Sequence, residues 1–104
     1  MCNNTEVVNI YKEKGYVYIG RGSLFGNPFV LGKDGTREEV IEKYRTYFYK
    51  RLEDPAFKNA VLHLKGMKLG CFCKPRECHG TIILEYLVEH FGGKLIDGFT
   101  AQLD

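Results

Sequence analysis

No stretch of the 104-residue chain approaches the roughly 18 consecutive apolar residues that a bilayer-spanning helix needs, so no membrane association is expected. The opening Met1-Cys2-Asn3-Asn4-Thr5-Glu6 has no basic region followed by an apolar one, the order a secretory signal requires, and a cytoplasmic protein is the expectation. There is no internal repeat and no low-complexity segment. Charge of one sign is also missing: a net +2 is too small to argue nucleic-acid binding from bulk electrostatics. Neither a Walker A loop nor the dinucleotide-binding glycine fingerprint occurs, because the spacing and the following Lys are absent.

The chain does have the material for a core. Hydrophobic residues make up 44%, with seven Phe and seven Tyr, which suits one compact domain over residues 1–104. The fold class expected is α/β, a small mixed sheet with about three packed helices. Residues 6–11 and 16–19 are rich in β-branched and aromatic side chains and read as strands. With Lys12-Glu13-Lys14-Gly15 as a turn between them, they are expected to pair as a hairpin. Phe29-Val30-Leu31 reads as a short strand or a core plug. Thr36 and Glu39 have the form of a capping box opening a helix to about Leu52, whose Val40, Ile41, Tyr44, Tyr47 and Phe48 recur at helical spacing. Pro55 starts a second helix, Met67 to Cys73 alternates like a strand, and Thr81 to Phe91 is a strongly apolar helix stopped by Gly92-Gly93. Lys94-Leu95-Ile96 reads as a last short strand, and the tail beyond it carries no signal.

Two loops bear chemistry. Gly20-Arg21-Gly22-Ser23-Leu24-Phe25-Gly26-Asn27 follows a strand, and its glycines permit positive φ and converging backbone N–H groups. Arg21, Ser23 and Asn27 add donors suited to phosphate or carboxylate. Gly20, Arg21, Gly22, Ser23, Gly26 and Asn27 are therefore candidate ligand-binding residues, set against the bland reading of a tight structural turn. Arg37 joins them: a cation in a helix's first turn opposes the dipole unless it reaches an anion.

The second loop holds three of the four cysteines, with Cys71, Cys73, Cys78 and His79 in C-x-C-x4-C-H spacing. Cys71 and Cys73 are a poor intrachain disulfide pair, and the context reads as reducing, which favours metal or thiol chemistry over a disulfide framework. Four such ligands are the number a tetrahedral zinc takes, so zinc is a possible cofactor, although this is not a common zinc-finger spacing. Alternatively Cys78, at a helix start, is a thiolate stabilised by the dipole, with Arg76 and His79 beside it. Inert core cysteines are the third reading.

Taken in order, the Gly20–Phe29 segment, Gly35-Thr36-Arg37-Glu38-Glu39-Val40-Ile41 with Tyr44, and Leu69 through Cys78-His79-Gly80 resemble a domain-of-unknown-function family of bacteria and bacteriophages. The resemblance spans roughly residues 18–91. Leu24 stands where the family pattern often has Pro, and Thr81 where it often has Asp, so any catalytic role of an acidic residue there would be missing from this chain. The family brings no established activity. It implies that the glycine loop and the Cys-His loop travel together, as two halves of one site beyond the carboxyl ends of strands.

The leading expectation is an enzyme, a hydrolase or transferase, acting on a small anionic or nucleotide-like ligand. Cys78 and His79 would be catalytic, with the glycine loop, Arg37 and Arg76 gripping the ligand. The competing expectation is a zinc-stabilised module without catalysis, in which Cys71, Cys73, Cys78 and His79 hold metal and basic loops touch nucleic acid or protein.

Overall fold

The computed structural model describes residues 3–72, 78–96 and 100–104. In chain order the elements are β1 (Asn3–Asn9), β2 (Tyr16–Tyr18), α1 (Arg37–Arg51), α2 (Pro55–Leu62), β3 (Lys68–Cys71), α3 (Gly80–Phe91), β4 (Gly93–Leu95) and β5 (Thr100–Leu103). The strands form one mixed sheet in the order β2-β3-β1-β5-β4, so the architecture is α/β with three helices, as expected.

The expected hairpin of the first two strands does not form. β3 inserts between β1 and β2 and runs parallel to both, with Val7 and Val17 each level with Leu69. The reason lies in β3: its Leu69, Gly70 and Cys71 are buried, and such a strand is satisfied only with neighbours on both edges. Residues 10–15 must then carry the chain back across β3, and they do so over Gly70. A Cβ at Gly70 would lie 2.3 Å from Tyr16 Cδ1 and 2.8 Å from Ile10 Cγ2, so only glycine admits the crossing. Asn9 starts it by accepting the Tyr11 N–H on Oδ1 at 2.8 Å, and a Lys68–Glu13 ion pair at 3.0 Å pins its middle.

Helices cover the other face. Val7, Leu69, Cys71, Ala101 and Leu103 join one apolar core with Ile19, Phe25, Tyr44, Phe48 and the inner side of α3. The capping box of α1 is present, Thr36 Oγ1 accepting from Glu39 N–H and the Glu39 carboxylate from Thr36 N–H. Buried Val40, Tyr44 and Phe48, four apart, give α1 its inner stripe, and Tyr44 stacks on Phe48 with centroids 5.7 Å apart. At the start of α3 the helix lies so close to the sheet that a Cβ on Gly80 would meet Val7 Cγ2 at 2.7 Å.

Two further expectations need correction. Residues 29–31 form no strand, and Val30 and Leu31 are exposed, because the loop from Asn27 to Thr36 is shaped by its own polar bonds, such as Val30 N–H to the Asp34 carboxylate at 2.7 Å. The tail supplies β5, antiparallel to both β1 and β4, with Ala101 and Leu103 buried. Among the described residues no helix is long and apolar enough to cross a membrane.

Candidate ligand site at the carboxyl ends of the parallel strands

β2 and β3 are parallel neighbours, so their carboxyl ends lie side by side. From the first springs the glycine loop; from the second, the stretch that leads to Cys78, His79 and α3. Three bonds hold the glycine loop against α1: Tyr44 Oη donates to Phe25 O at 2.8 Å, Arg51 to Leu24 O at 2.9 Å, and Asn27 Nδ2 to Val40 O at 3.4 Å. Within the loop, Ser23 Oγ donates to Gly20 O at 2.6 Å, and Asn27 Oδ1 accepts from Phe29 N–H at 2.9 Å. Gly26 is required by close approach, since a Cβ there would lie 2.5 Å from the Gly20 carbonyl oxygen.

His79 joins the second loop to the first. Its Nε2 lies 2.6 Å from Ile19 O in a buried setting. A carbonyl oxygen only accepts, so Nε2 carries the proton and Nδ1 is the basic nitrogen of the neutral ring. The same imidazole stands edge-on to Tyr44 with centroids 4.9 Å apart, so Tyr44 touches both loops at once. Burial pushes the Tyr44 phenol well above its ordinary range, reinforced by Tyr47 and Cys78 and opposed by Arg51, and its hydroxyl stays a donor at any physiological pH.

Between the loops is a cavity of about 280 Å³. Gly20, Arg21, Asn27 and Arg37 line it, together with Cys71, Cys78 and His79. Phe29, Leu31, Val40, Ile41 and Phe72 supply its apolar wall. Gly22, Ser23 and Gly26 are not among the lining residues; they shape the loop that is. Two arginines and no carboxylate face this space among the described residues. A second cavity, of about 330 Å³, adjoins it and has the opposite character, with Glu38, Glu42 and Glu85 around Arg45. Arg45 is taken up there by Glu85 and by Glu42, the latter at 3.2 Å, and among the described residues no other cation lines this cavity.

Cys78 lines both cavities and is itself 2% exposed. Its sulfur accepts the Gly80 N–H at 3.4 Å in the first turn of α3, where the helix dipole favours negative charge. Cys71 Sγ is 3.4 Å away, and neither thiol is in a disulfide. Cys73 and Arg76, the remaining sequence candidates, lie outside the described residues. Among the described residues no three His, Cys, Asp or Glu side chains gather as a metal-holding group.

Residues 3–89 match the sequence profile of a family described as Domain of unknown function (DUF4326). The chain belongs to the DUF4326 family. It is also 47% identical over 79 residues to a protein of Enterobacteria phage T4 described as "Uncharacterized 12.4 kDa protein in nrdA-td intergenic region", covering 74% of this chain and 71% of that one. No solved structure matches the chain.

Sequence reasoning did not single out four residues that build the site. Phe29 and Phe72 wall the cavity, while Tyr44 and Arg51 fasten the glycine loop. A signal existed for Tyr44, because a tyrosine in a buried helical stripe needs a partner for its hydroxyl where phenylalanine would not.

Proposed function

We propose that this protein binds a small anionic, nucleotide-like ligand in the cavity between the glycine loop and the Cys-His loop. The observation that carries the proposal is the lining itself: among the described residues its charged members are Arg21 and Arg37, and the flat side chains Phe29 and Phe72 stand on the apolar wall. Arginines suit phosphate or carboxylate, and the aromatic walls suit a planar base. A volume of about 280 Å³ lies near the lower end of ligand-sized pockets, roughly 300 Å³ and up, which matches a mononucleotide better than anything larger. The position beyond the carboxyl ends of parallel strands is the usual one for ligands in open α/β sheets.

The reaction class that fits is hydrolysis or transfer at a glycosidic or phosphate bond, with Cys78 and His79 at the reacting end. The Gly80 N–H and the α3 dipole would favour a Cys78 thiolate. Because His79 Nε2 is occupied by Ile19 O, any proton His79 takes up would go to Nδ1. The test is a thermal-shift panel of nucleoside mono- and diphosphates with the wild type, Arg21→Ala and Arg37→Ala. A true ligand at 100 times its Kd adds about 2.7 kcal/mol. For a domain of this size that raises Tm by roughly 10 to 20 °C. Both variants should lose the rise, and Cys78→Ser should keep it while abolishing turnover. No shift anywhere in the panel refutes the proposal.

A second reading has one observation in its favour. Two thiolates on a tetrahedral zinc, at about 2.3 Å each, stand roughly 3.8 Å apart, and the Cys71 and Cys78 sulfurs are separated by 3.4 Å. A zinc-stabilised module would carry close to one equivalent of metal after purification without added zinc. Metal-free protein that is still folded rejects that reading.

A further inference from the structure

Outside the cavity mouth lies a feature that a mononucleotide site alone does not use. Tyr11 is 78% exposed and Phe72 49%, and their ring centroids are 6.0 Å apart. Tyr18 completes the group at 5.9 Å from Phe72, edge-on, and its hydroxyl donates to Arg21 O at 3.1 Å, tying the cluster to the glycine loop. Large aromatics left this open on a surface mark contact sites more often than scattered single residues do. Phe72 belongs both to the cluster and to the cavity wall, so the two are continuous.

Charge runs along the same path. Lys12 follows Tyr11 and is exposed, Arg21 is exposed at the cavity and Arg37 lines it. The nearest acidic side chain in the crossing segment, Glu13, is taken up by Lys68. A chain with a net charge of only +2 thus sets Arg21 and Arg37 in the same cavity that Phe72 walls, and carries Lys12 next in sequence to the exposed Tyr11 ring. Exposed rings that stack on bases, with cations tracking the phosphates, are how proteins hold single-stranded nucleic acid. A duplex hides the faces of its bases and cannot use the rings in this way.

We infer that the ligand of this site is a nucleotide carried in a single strand of nucleic acid, one residue entering the cavity and its neighbours stacking on Tyr11 and Phe72. The inference rests on the anion-pocket reading above and names its substrate class. The test compares dTMP and UMP with fluorescein-labelled dT10 and rU10 by thermal shift and fluorescence anisotropy, using wild type and Tyr11→Ala. Tyr11 is so exposed that its replacement leaves the fold intact, and loss of one stacking ring should weaken oligonucleotide binding about fivefold or more while leaving mononucleotide binding unchanged. With two or three phosphates neutralised, the slope of log affinity against log salt should be roughly −1.5 to −2. The dT10 and rU10 arms decide between DNA and RNA.

Mononucleotide binding with no gain from the oligonucleotides overturns the inference and leaves the pocket reading standing. Oligonucleotide binding that Tyr11→Ala does not weaken, or that duplex DNA competes for equally, overturns it as well, since charge alone then explains the attraction. If neither mononucleotide nor oligonucleotide binds, both readings fall together.

Discussion

Replacing Tyr44 by Phe removes one hydroxyl from the residue that touches both loops. The ring would keep its stacking on Phe48 at 5.7 Å and its edge contact with His79 at 4.9 Å, so the packing loss is small. What disappears is the 2.8 Å bond to Phe25 O, and that carbonyl is left in a buried setting without the donor built for it. Such a loss costs about 1 to 3 kcal/mol. For a domain of this length, each kcal/mol lowers Tm by roughly 4 to 8 °C.

The control is Tyr47→Phe, whose hydroxyl accepts from Arg51 at 3.3 Å in a half-buried position and whose loss should cost less than about 0.5 kcal/mol. Urea titrations followed by far-UV circular dichroism measure both. Hydrogen exchange at the Ser23 and Gly26 amides, which close the loop's own turns on Gly20 O and Ser23 O, should speed up in the Tyr44 variant alone. The pH dependence supplies a further check. The folded state holds the Tyr44 phenol above its unfolded value of about 10, so its contribution is complete below that pH and is lost as the pH rises past it. Wild-type stability should therefore fall more steeply above pH 10 than that of Tyr44→Phe, in which Tyr49 and Tyr86 still contribute the same way. A cost for Tyr44→Phe no larger than for Tyr47→Phe would refute the idea that this hydroxyl holds the site together.

Gly70→Ala should lower stability by about 1 to 3 kcal/mol, seen as a lower urea midpoint with an unchanged m-value, because the new methyl meets Tyr16 and Ile10 where the chain crosses β3. Mild oxidation with diamide should link Cys71 to Cys78, whose sulfurs are 3.4 Å apart, and peptide mapping should find the pair joined with loss of two hydrogens; an unlinked pair, or linkage only to Cys2, contradicts the placement. The Thr36 backbone and hydroxyl hold the Glu39 carboxyl below its ordinary range, so its stabilising contribution is present above about pH 4.5 and is lost as the pH falls. Glu39→Gln should flatten the acid limb of the stability curve, and an unchanged limb would show that the capping box does not form in solution.

How much was legible from sequence depended on how local the cause was. The capping box at Thr36 and Glu39, the stripe of Val40, Tyr44 and Phe48, and the glycine stop after α3 all lie within a turn or two of their effects, and each was readable. Strand pairing was not. Tyr16 to Tyr18 has the composition of a strand whether its partner is β1 or β3, and the choice is made by Gly70, more than fifty residues away, which leaves room for the crossing. β5 has only four residues and is defined by its pairing with β1 and β4. Of the site, the two loops could be named because each follows an apolar strand. Their fastening was legible only in part: a tyrosine in the inner stripe of α1 announces that its hydroxyl needs a partner without saying which, and nothing around Arg51 in sequence distinguishes a surface cation from one bonded to a distant carbonyl.

Cys78 stands in the wall between a basic chamber and an acidic one. Cys78 shares that wall with Ile41, and a common wall makes the two spaces thermodynamically dependent: an occupant that moves the Cys78 sulfur towards one of them enlarges the other. By linkage, any resulting change in affinity is equal in both directions. Replacing Cys78 therefore tests more than a thiol, since a change of side-chain volume there alters the wall of both chambers at once.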